Sequence, residues 1–261
     1  MSPFESPCYA EDRERTSRNR ERLLHHPNLL HWYRELYAQL FGQVPGFELK
    51  RVLEVGSGMS PLKLFYPHVT TSDVLDLEYL DHVFDCHEID SYRGVPDHSF
   101  DIVTATNVLH HLRDPLEFLQ KAAVKLKPLG EMVVVEPYCS LLSYPLYRLL
   151  HHEGFSFDLS RPGLDKVEGP LSSANQAMPH MIFFSRREWL AGLAGTYDVE
   201  DIRIEFFSSL AYMASGGVSH VFSVPKALYR AFFSIDALLA RTAPRAFASF
   251  FIARMTARGE K

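Results

Sequence analysis

The feature that most constrains the fold is the alternation of short apolar runs with amphipathic stretches between residues 51 and 135. Five of these runs are typical of strands, namely RVLEV at 51–55, HVTTS at 68–72, DHVF at 81–84, FDIVT at 100–104 and EMVVV at 131–135. A helical pattern covers 116–126, and Gly130 stands between this helix and the fifth run. Near-continuous apolar strands that alternate with helices are typical of a parallel sheet covered on both faces. We therefore predict an α/β fold with a doubly wound, mostly parallel sheet.

The segments outside this alternation carry weaker patterns. Residues 1–19 are polar, charged and proline-containing, which predicts a loose arm, whereas the residues from Pro27 to Gly42 repeat apolar side chains at helical spacing. Residues 140–184 show no period, as expected of an insertion that covers a site. The rest of the pattern predicts a helix over 185–193 capped by Ser185, a strand over 197–206, an amphipathic helix over 225–241 and a last strand over 247–258.

Composition excludes several classes of function. The chain has 261 residues and 46% hydrophobic content, which suits one large core, and its net charge of −5 offers no positive field for nucleic acid or an anionic membrane. Cys8, Cys86 and Cys139 are odd in number and lack zinc spacing, so we expect reduced thiols in a cytoplasmic protein. The N-terminal stretch MSPFESPCYAEDRERTSRNRER is not apolar, so we expect no signal segment, and we expect no membrane span because no apolar run approaches the roughly 20 residues that one requires.

The first predicted strand ends in a turn that is suited to a cationic ligand. Gly56 and Gly58 allow a sharp turn and a close approach of a ligand at the carboxyl edge of the sheet. A dinucleotide-binding turn has a third glycine, where this chain has Pro61. Glu54 precedes the turn, and its carboxylate would repel a diphosphate and attract an ammonium group. We therefore expect a ligand with an amino group.

These residues resemble the first motif of the class I S-adenosylmethionine-dependent methyltransferases, in particular the broad type 11-like enzymes that act on small molecules. That motif is an acid-x-Gly-x-Gly-x-Gly turn, which Glu54, Gly56 and Gly58 match, whereas Ser60 replaces the last glycine. The resemblance covers about residues 50–138 and continues through PDHSFDIVTATNVLHHLRDPLEFLQKAAVKLKPLGEMVVVEPY. It implies a Rossmann-like methyltransferase fold with a seven-stranded sheet and helical insertions. It also implies S-adenosylmethionine as cofactor and S-adenosylhomocysteine as product.

The resemblance further implies which residues bind the cofactor. Asp73 would bind the ribose hydroxyls, although an aspartate here is also typical of a helix cap. Asp85 and Cys86 would read the adenine amino group, with Asp76 and Asp90 as reserves for the two acids. Asn107 would lie near the methionine part of the cofactor. Together with the glycine turn, the predicted cofactor-binding residues are Glu54, Gly56, Ser57, Gly58, Asp73, Asp85, Cys86 and Asn107.

Histidines near the same edge are candidates for a general base, because the pKa of histidine lies near neutrality. His110 and His111 follow the fourth strand and are the predicted catalytic residues; the alternative is a role in starting a helix. Further candidates in the insertion are His151, His152, Glu153 and His180. His151 and His152 are adjacent and would point in different directions on a helix, with only Glu153 close by, so we predict no metal site. Glu136 is either a base or a loop cap.

These observations divide the chain into an N-terminal arm and helical cap over 1–48 and a methyltransferase domain over 49–261. Within that domain, 49–139 form the cofactor-binding core, and the insertions 140–184 and 207–245 are expected to form the acceptor pocket. Aromatic residues suited to line this pocket are Tyr138, Tyr144, Tyr147, Phe155 and Phe157. The segments 140–184 and 207–224, with Gly216-Gly217 as a hinge or tight turn, would close over the cofactor as a lid; the alternative is that they are permanently packed insertions.

The predicted function is methyl transfer to a small or medium-sized acceptor by in-line displacement, with the acceptor positioned by the protein. The methylated atom and the oligomeric state are not evident from the sequence. One alternative is a cofactor-binding protein on the same fold that does not methylate, either pericyclase-like or regulatory. Another is an NAD-dependent oxidoreductase, against which Glu54 and the missing third glycine argue.

Overall fold

The structure, a computed structural model, describes residues 8–150, 153–216 and 224–259. Its centre is a seven-stranded sheet in the order β3-β2-β1-β4-β5-β7-β6. The strands are β1 (Val52–Val55), β2 (Thr70–Asp73), β3 (His82–Val83), β4 (Phe100–Thr106), β5 (Leu126–Pro137), β6 (Arg203–Phe207) and β7 (Phe250–Thr256). The first five pair in parallel, and β7 runs antiparallel between β5 and β6. This topology confirms the predicted mostly parallel sheet of seven strands.

Helices cover the sheet on both sides, so the fold is doubly wound. The α-helices among the described residues are α1 (Tyr9–Leu24), α2 (Pro27–Phe41), α3 (Leu62–Phe65), α4 (Pro115–Ala122), α5 (Ser143–Leu150), α6 (Met178–His180), α7 (Ala211–Ala214), α8 (Lys226–Thr242) and α9 (Pro244–Phe247). None of these helices combines the length and the apolar character that crossing a membrane requires.

Alternate residues of each strand supply two separate apolar cores. In β1, Leu53 joins a core with Phe118 of α4, whereas Val52 joins the core that contains Trp32 of α2 and Tyr229 of α8. This division follows from the period of two in a strand, which sends successive side chains to opposite faces. The apolar strand runs of the sequence therefore reflect burial on both faces.

Strand order also determines where a ligand can bind. β1 lies between β2 and β4, and the chain leaves β1 toward β2 on one side before returning to β4 on the other. Such a reversal opens a crevice at the carboxyl edge of a parallel sheet. The glycine turn that follows β1 lies at this crevice.

The prediction of a loose arm is wrong over residues 9–19, which belong to the helix α1; residues 1–7 lie outside the described residues. Polar contacts anchor this helix. The Tyr9 hydroxyl donates to the Val74 carbonyl at 3.1 Å, and Arg20 donates to the Ser60 carbonyl. Hydropathy cannot detect a helix that is held by polar contacts with distant segments.

Several predicted boundaries also differ. The strand β5 begins at Leu126, so Gly130 lies inside the strand and does not separate it from the preceding helix. Ser185 ends a π-helical turn over Met181–Ser185 and caps nothing, while the predicted helix is a 3-10 helix over Arg187–Leu193. The strand predicted over 197–206 begins at Arg203, and Tyr197 forms only an isolated bridge. Partners that are remote in sequence set these boundaries. The amphipathic helix predicted over 225–241 is confirmed as α8. Gly217, which belongs to the predicted hinge, lies outside the described residues.

Candidate functional site

The carboxyl ends of the parallel strands open into one cleft of about 1450 Å³. Nine of the ten predicted site residues line it: Gly56, Ser57, Gly58, Asp73, Asp85, Cys86, Asn107, His110 and His111. The tenth, Glu54, is buried next to the glycine turn with 1% of its surface exposed. The fold therefore brings together residues that the sequence spreads over more than 50 positions.

The glycine turn needs glycine for two separate reasons. Gly56 and Gly58 have φ of 69° and 42°, in the left-handed region. A Cβ on Gly56 would lie 2.4 Å from Cγ2 of Val108, so no side chain fits there. A Cβ on Gly58 would meet only ordinary contacts, the nearest being Asp73 Oδ2 at 3.6 Å. A methyl group at Gly58 would therefore clash with no protein atom, and its cost to the protein would come from the left-handed backbone conformation.

Glu54 has one oxygen that is satisfied and one that is not. Its Oε1 accepts a hydrogen bond from the Ser60 hydroxyl at 2.6 Å, and the Tyr37 hydroxyl lies 2.8 Å from the same Ser60 oxygen. Its Oε2 is buried without a hydrogen-bond partner among the described residues. Burial raises the pKa of Glu54 to about 7. Ser60, the departure from the family motif, thus orients the carboxyl group of Glu54.

Asp73 ends β2 and holds the glycine turn. Its Oδ2 accepts from the Gly58 backbone N–H at 2.7 Å, and its Oδ1 accepts from the Leu75 N–H at 2.8 Å. Burial raises the pKa of Asp73 to about 6, although these hydrogen bonds oppose the shift. The carboxyl group joins the turn after β1 to the end of β2.

Asp85 and Cys86 follow β3 on the next side of the cleft. Asp85 Oδ1 accepts from the His87 backbone N–H at 3.0 Å and lies 2.9 Å from His87 Nδ1. Burial opposes ionisation of Asp85, but the contacts with His87 lower its pKa overall. Burial raises the pKa of the Cys86 thiol well above its usual value, so Cys86 is a thiol at neutral pH.

His110 lies between two glutamates. Its Nδ1 is 2.6 Å from Glu136 Oε2, and its Nε2 is 3.6 Å from Glu153 Oε2. Burial alone would lower the pKa of His110, but the two carboxylates raise it to about 9. Glu136 is fully buried, and its other oxygen accepts from the backbone N–H groups of Val108 and Leu109. Glu136 therefore supports the turn after β4, as the loop-cap alternative predicts.

His111 has a different environment from its neighbour. Its Nδ1 lies 2.9 Å from the Ser173 carbonyl oxygen, which can only accept, so Nδ1 carries the proton. Burial and the positive charge of His110 lower the pKa of His111 to about 4. His180 accepts a hydrogen bond from the Cys139 N–H at 3.2 Å and packs between aromatic rings. The candidates His151 and His152 lie outside the described residues.

The helix α1 contributes to the cleft, which the sequence pattern did not predict. Arg15, Arg18 and Arg22 of this helix line the cleft with Arg113, which follows the turn after β4. Arg20 of the same helix stacks on the ring of Tyr79 at 3.8 Å. The spacing of three and four residues between these α1 arginines is helical, and this pattern was the available signal.

Three solved structures of S-adenosylmethionine-dependent methyltransferases are similar at low identity. The enzyme from Archaeoglobus fulgidus is 18% identical, with 87% of this chain and 94% of that chain covered and a TM-score of 0.47. The enzyme from Thermotoga maritima is 14% identical, with 90% and 91% covered and a TM-score of 0.48. The enzyme from Mesorhizobium loti is 14% identical, with 84% and 96% covered and a TM-score of 0.45. No curated protein matches the sequence significantly.

A family model described as a methyltransferase domain matches residues 25–195, which is more than half of the 261 residues. The matched segment contains α2, the five parallel strands and the glycine turn. This match confirms the resemblance on which the cofactor was predicted. The chain belongs to the methyltransferase domain family and is an S-adenosylmethionine-dependent methyltransferase of class I.

Proposed function

We propose that the enzyme methylates a small or medium-sized acceptor in the cleft at the carboxyl edge of the sheet. The observation that carries this proposal is the buried Oε2 of Glu54, which has no partner among the described residues. A buried oxygen of a carboxyl group normally has a hydrogen-bond donor, and a ligand ammonium would supply one. When bound, S-adenosylmethionine carries that ammonium and supplies an electrophilic methyl group for in-line displacement.

The residues of the chain fit this cofactor. Gly56 and Gly58 leave space at the end of β1, and Asp73 has a carboxyl group that can accept from ribose hydroxyls beside the turn that it holds. We assign Asp85 and Cys86 to the adenine amino group because they line the next part of the cleft. Ser57 and Asn107 complete the proposed set near the methionine part.

The acceptor would occupy the part of the cleft that the flanking segments line. These segments are the N-terminal helical cap over 1–48 and the insertions 140–184 and 207–245, and they contribute Arg15, Leu146, Tyr147, Leu171, Tyr212 and Met213 to the lining. Of the residues predicted to line the pocket, Tyr147 does so, and its hydroxyl donates to the Ser249 carbonyl. The proposed role of these side chains is to exclude water and orient the acceptor.

The net charge of −5 supports a small-molecule acceptor and not a nucleic acid. No disulfide joins the three cysteines, all of which lie within the described part of the chain. We therefore propose a cytoplasmic enzyme whose partner is a small molecule.

Cofactor binding is tested by the variant Gly58→Ala. The added methyl group meets only ordinary contacts in the protein, so we expect the variant to fold and to bind S-adenosylhomocysteine at least about tenfold more weakly in calorimetry. The matched control is Gly46→Ala, since Gly46 has a similar φ of 62° and open space around its Cβ. Equal binding by both variants would contradict the assignment of the glycine turn.

Methyl transfer itself is tested by incubating the enzyme with S-adenosylmethionine and candidate acceptors and measuring S-adenosylhomocysteine. Acceptors with oxygen, nitrogen, carbon and sulfur nucleophiles form the panel. Cofactor binding without product across the panel would favour the alternative of a cofactor-binding protein that does not methylate.

A further inference from the structure

A cluster of metal-ligating side chains lies in the cleft beside the proposed cofactor residues. One ligand atom each from His110, His111 and Glu153 lies within 4.8 Å of the others, and all three residues line the cleft. They come from two parts of the chain, the turn after β4 and the segment after α5. The prediction of no metal site came from an argument about His151 and His152 as neighbours on a helix, and it did not weigh His110 and His111 as ligands. In the observed 3-10 turn the ring centroids of His110 and His111 are only 4.2 Å apart.

His110 and Glu153 form an ion pair whose separation is long for a direct hydrogen bond and matches the spacing of two ligands of one ion. His110 Nε2 lies 3.6 Å from Glu153 Oε2. An N–H···O hydrogen bond rarely exceeds about 3.2 Å. Two metal–ligand bonds of about 2.1 Å that meet at roughly 109–120° place their donor atoms about 3.4–3.6 Å apart. The pair is therefore spaced for an ion between its two atoms.

Hydrogen bonds outside the cluster hold both imidazole rings by the opposite nitrogen. His110 Nδ1 is 2.6 Å from Glu136 Oε2, and His111 Nδ1 is 2.9 Å from the Ser173 carbonyl oxygen. Metal-ligating histidines are typically held in this way, by a carboxylate or a backbone carbonyl on the nitrogen that does not bind the metal. Each ring would present Nε2 as its ligand atom, and His110 would release its Nε2 proton to solvent when the ion binds.

The carboxylates are held as well. Glu136 is fixed by two backbone N–H groups, and Glu153 Oε2 accepts from Gln176 Nε2 at 2.8 Å. The second group of potential ligands among the described residues, Asp85-Cys86-His87, lacks this arrangement. There the carboxylate contacts the histidine of its own group at 2.9 Å, so the two side chains already satisfy each other.

We propose that His110 Nε2, His111 Nε2 and the Glu153 carboxylate bind one divalent first-row transition metal ion. Two imidazoles and one carboxylate suit Zn²⁺, Fe²⁺ or Co²⁺ better than Mg²⁺, which prefers oxygen ligands throughout. Three protein ligands leave coordination positions open toward the cleft, where an acceptor oxygen could bind and be activated as a nucleophile. Metal binding is independent of the proposed function, whereas this role for the ion rests on it.

The test is titration of the untagged, chelator-treated enzyme with Co²⁺ and Zn²⁺, followed by calorimetry and by Co²⁺ absorption. We expect one ion per chain, with affinity at least about tenfold weaker in Glu153→Gln and in His111→Ala and about 10–100-fold weaker in Glu136→Gln. The control His25→Ala removes an exposed histidine and should bind as the wild type does. Cys86→Ser should also retain the ion, and Co²⁺ should show no thiolate charge-transfer band.

Far-UV circular dichroism shows whether each variant is folded, and S-adenosylhomocysteine binding by the wild type, measured separately, keeps the two proposals apart. Stoichiometric metal binding without cofactor binding would leave the metal site standing and overturn the proposed function. The metal site would be overturned if the wild type bound no stoichiometric metal ion. It would also be overturned if folded Glu153→Gln and His111→Ala bound the ion as tightly as the wild type does. Loss of metal binding in Cys86→Ser alone would also overturn the proposed metal site, and it would indicate that the ion binds to the Asp85-Cys86-His87 group.

Discussion

At the scale of single residues, Glu54 opposes folding at neutral and alkaline pH. Its pKa is raised from the usual 4.5 to about 7, mainly by burial. A raised pKa in the folded state contributes stability below the unfolded value, and this contribution is lost as pH rises through the folded value. The loss between about pH 4.5 and 7 amounts to roughly 3 kcal/mol, at about 1.4 kcal/mol per pH unit. The apoprotein therefore carries an electrostatic cost at the position where it would bind an ammonium.

The variant Glu54→Gln tests this cost. We expect little difference from the wild type at pH 5 and a free energy of unfolding higher by up to about 3 kcal/mol at pH 8.5, measured by urea unfolding without cofactor. Affinity for S-adenosylhomocysteine should fall in the same variant, and in the wild type it should increase from pH 6 to 8 as Glu54 ionises. 5′-Methylthioadenosine lacks the amino-acid ammonium but keeps the ribose that Asp73 would bind, so it is the control ligand. Its profile should keep the titration of Asp73, whose pKa is about 6, and lose the further rise due to Glu54. A stability difference that does not vary with pH would contradict the assignment.

At the scale of elements, α1 joins the two sides of the cleft. Asp12 accepts from the Leu171 backbone N–H at 2.9 Å and from the Ser172 hydroxyl at 3.0 Å, in the insertion 140–184. Toward the other side, Arg20 of the same helix donates to the Ser60 carbonyl beside the glycine turn. The sequence pattern predicted a lid made of 140–184 and 207–224. The contacts of Asp12 indicate that α1 would move together with the insertion 140–184.

We expect S-adenosylhomocysteine to slow hydrogen exchange in 140–184 and in the N-terminal helices, including residues 20–42, beyond its effect on residues 54–60. Asp12→Ala should remove the added protection of α1 because it cuts the contact with the insertion. Glu14→Ala is the matched control, since Glu14 is exposed on the same helix and pairs only with Arg18 at i+4 among the described contacts. Protection confined to the glycine turn and to the loops of Asp73 and Asp85 would indicate a preformed pocket without a lid.

At the scale of the whole molecule, a buried carboxylate joins segments that are far apart in sequence. Asp236 of α8 accepts from the backbone N–H groups of Ser209 and Leu210 at 2.8 and 2.6 Å. It also accepts from the Ser208 hydroxyl, whose oxygen in turn accepts from Trp32 Nε1 of α2 at 3.0 Å. This network connects α2, the end of β6 and α8 over the second core.

Asp236→Ala should therefore lower the free energy of unfolding by about 2–4 kcal/mol, because it leaves two backbone N–H groups without their acceptor. Urea unfolding measures this loss. Asp201→Ala, at an exposed turn position, should change the same quantity by no more than about 0.5 kcal/mol. Similar effects of the two substitutions would show that the network contributes little to stability.

Local pattern alone was enough for the succession of strands along the chain, for the helices α2, α4 and α8, and for the glycine turn. Apolar runs of strand length signal burial on both faces wherever they occur, and Gly56 and Gly58 are required by φ values that are properties of the turn itself. Asp73 and Asp85 were predictable for the same reason, because parallel strands bring residues at their carboxyl ends to one edge. These inferences need no knowledge of which remote segment packs where.

Tertiary structure alone decided the parts of the site that depend on contacts between distant segments. α1 is a polar helix whose anchoring acceptors, such as the Val74 and Ser60 carbonyls, lie some 40 to 65 positions away. Glu153 approaches His110 only because the insertion folds back over the turn after β4. Hydrogen bonds and ion pairs of this kind leave no period in the sequence, since each needs two particular atoms within a few ångströms and not a repeated burial of one face.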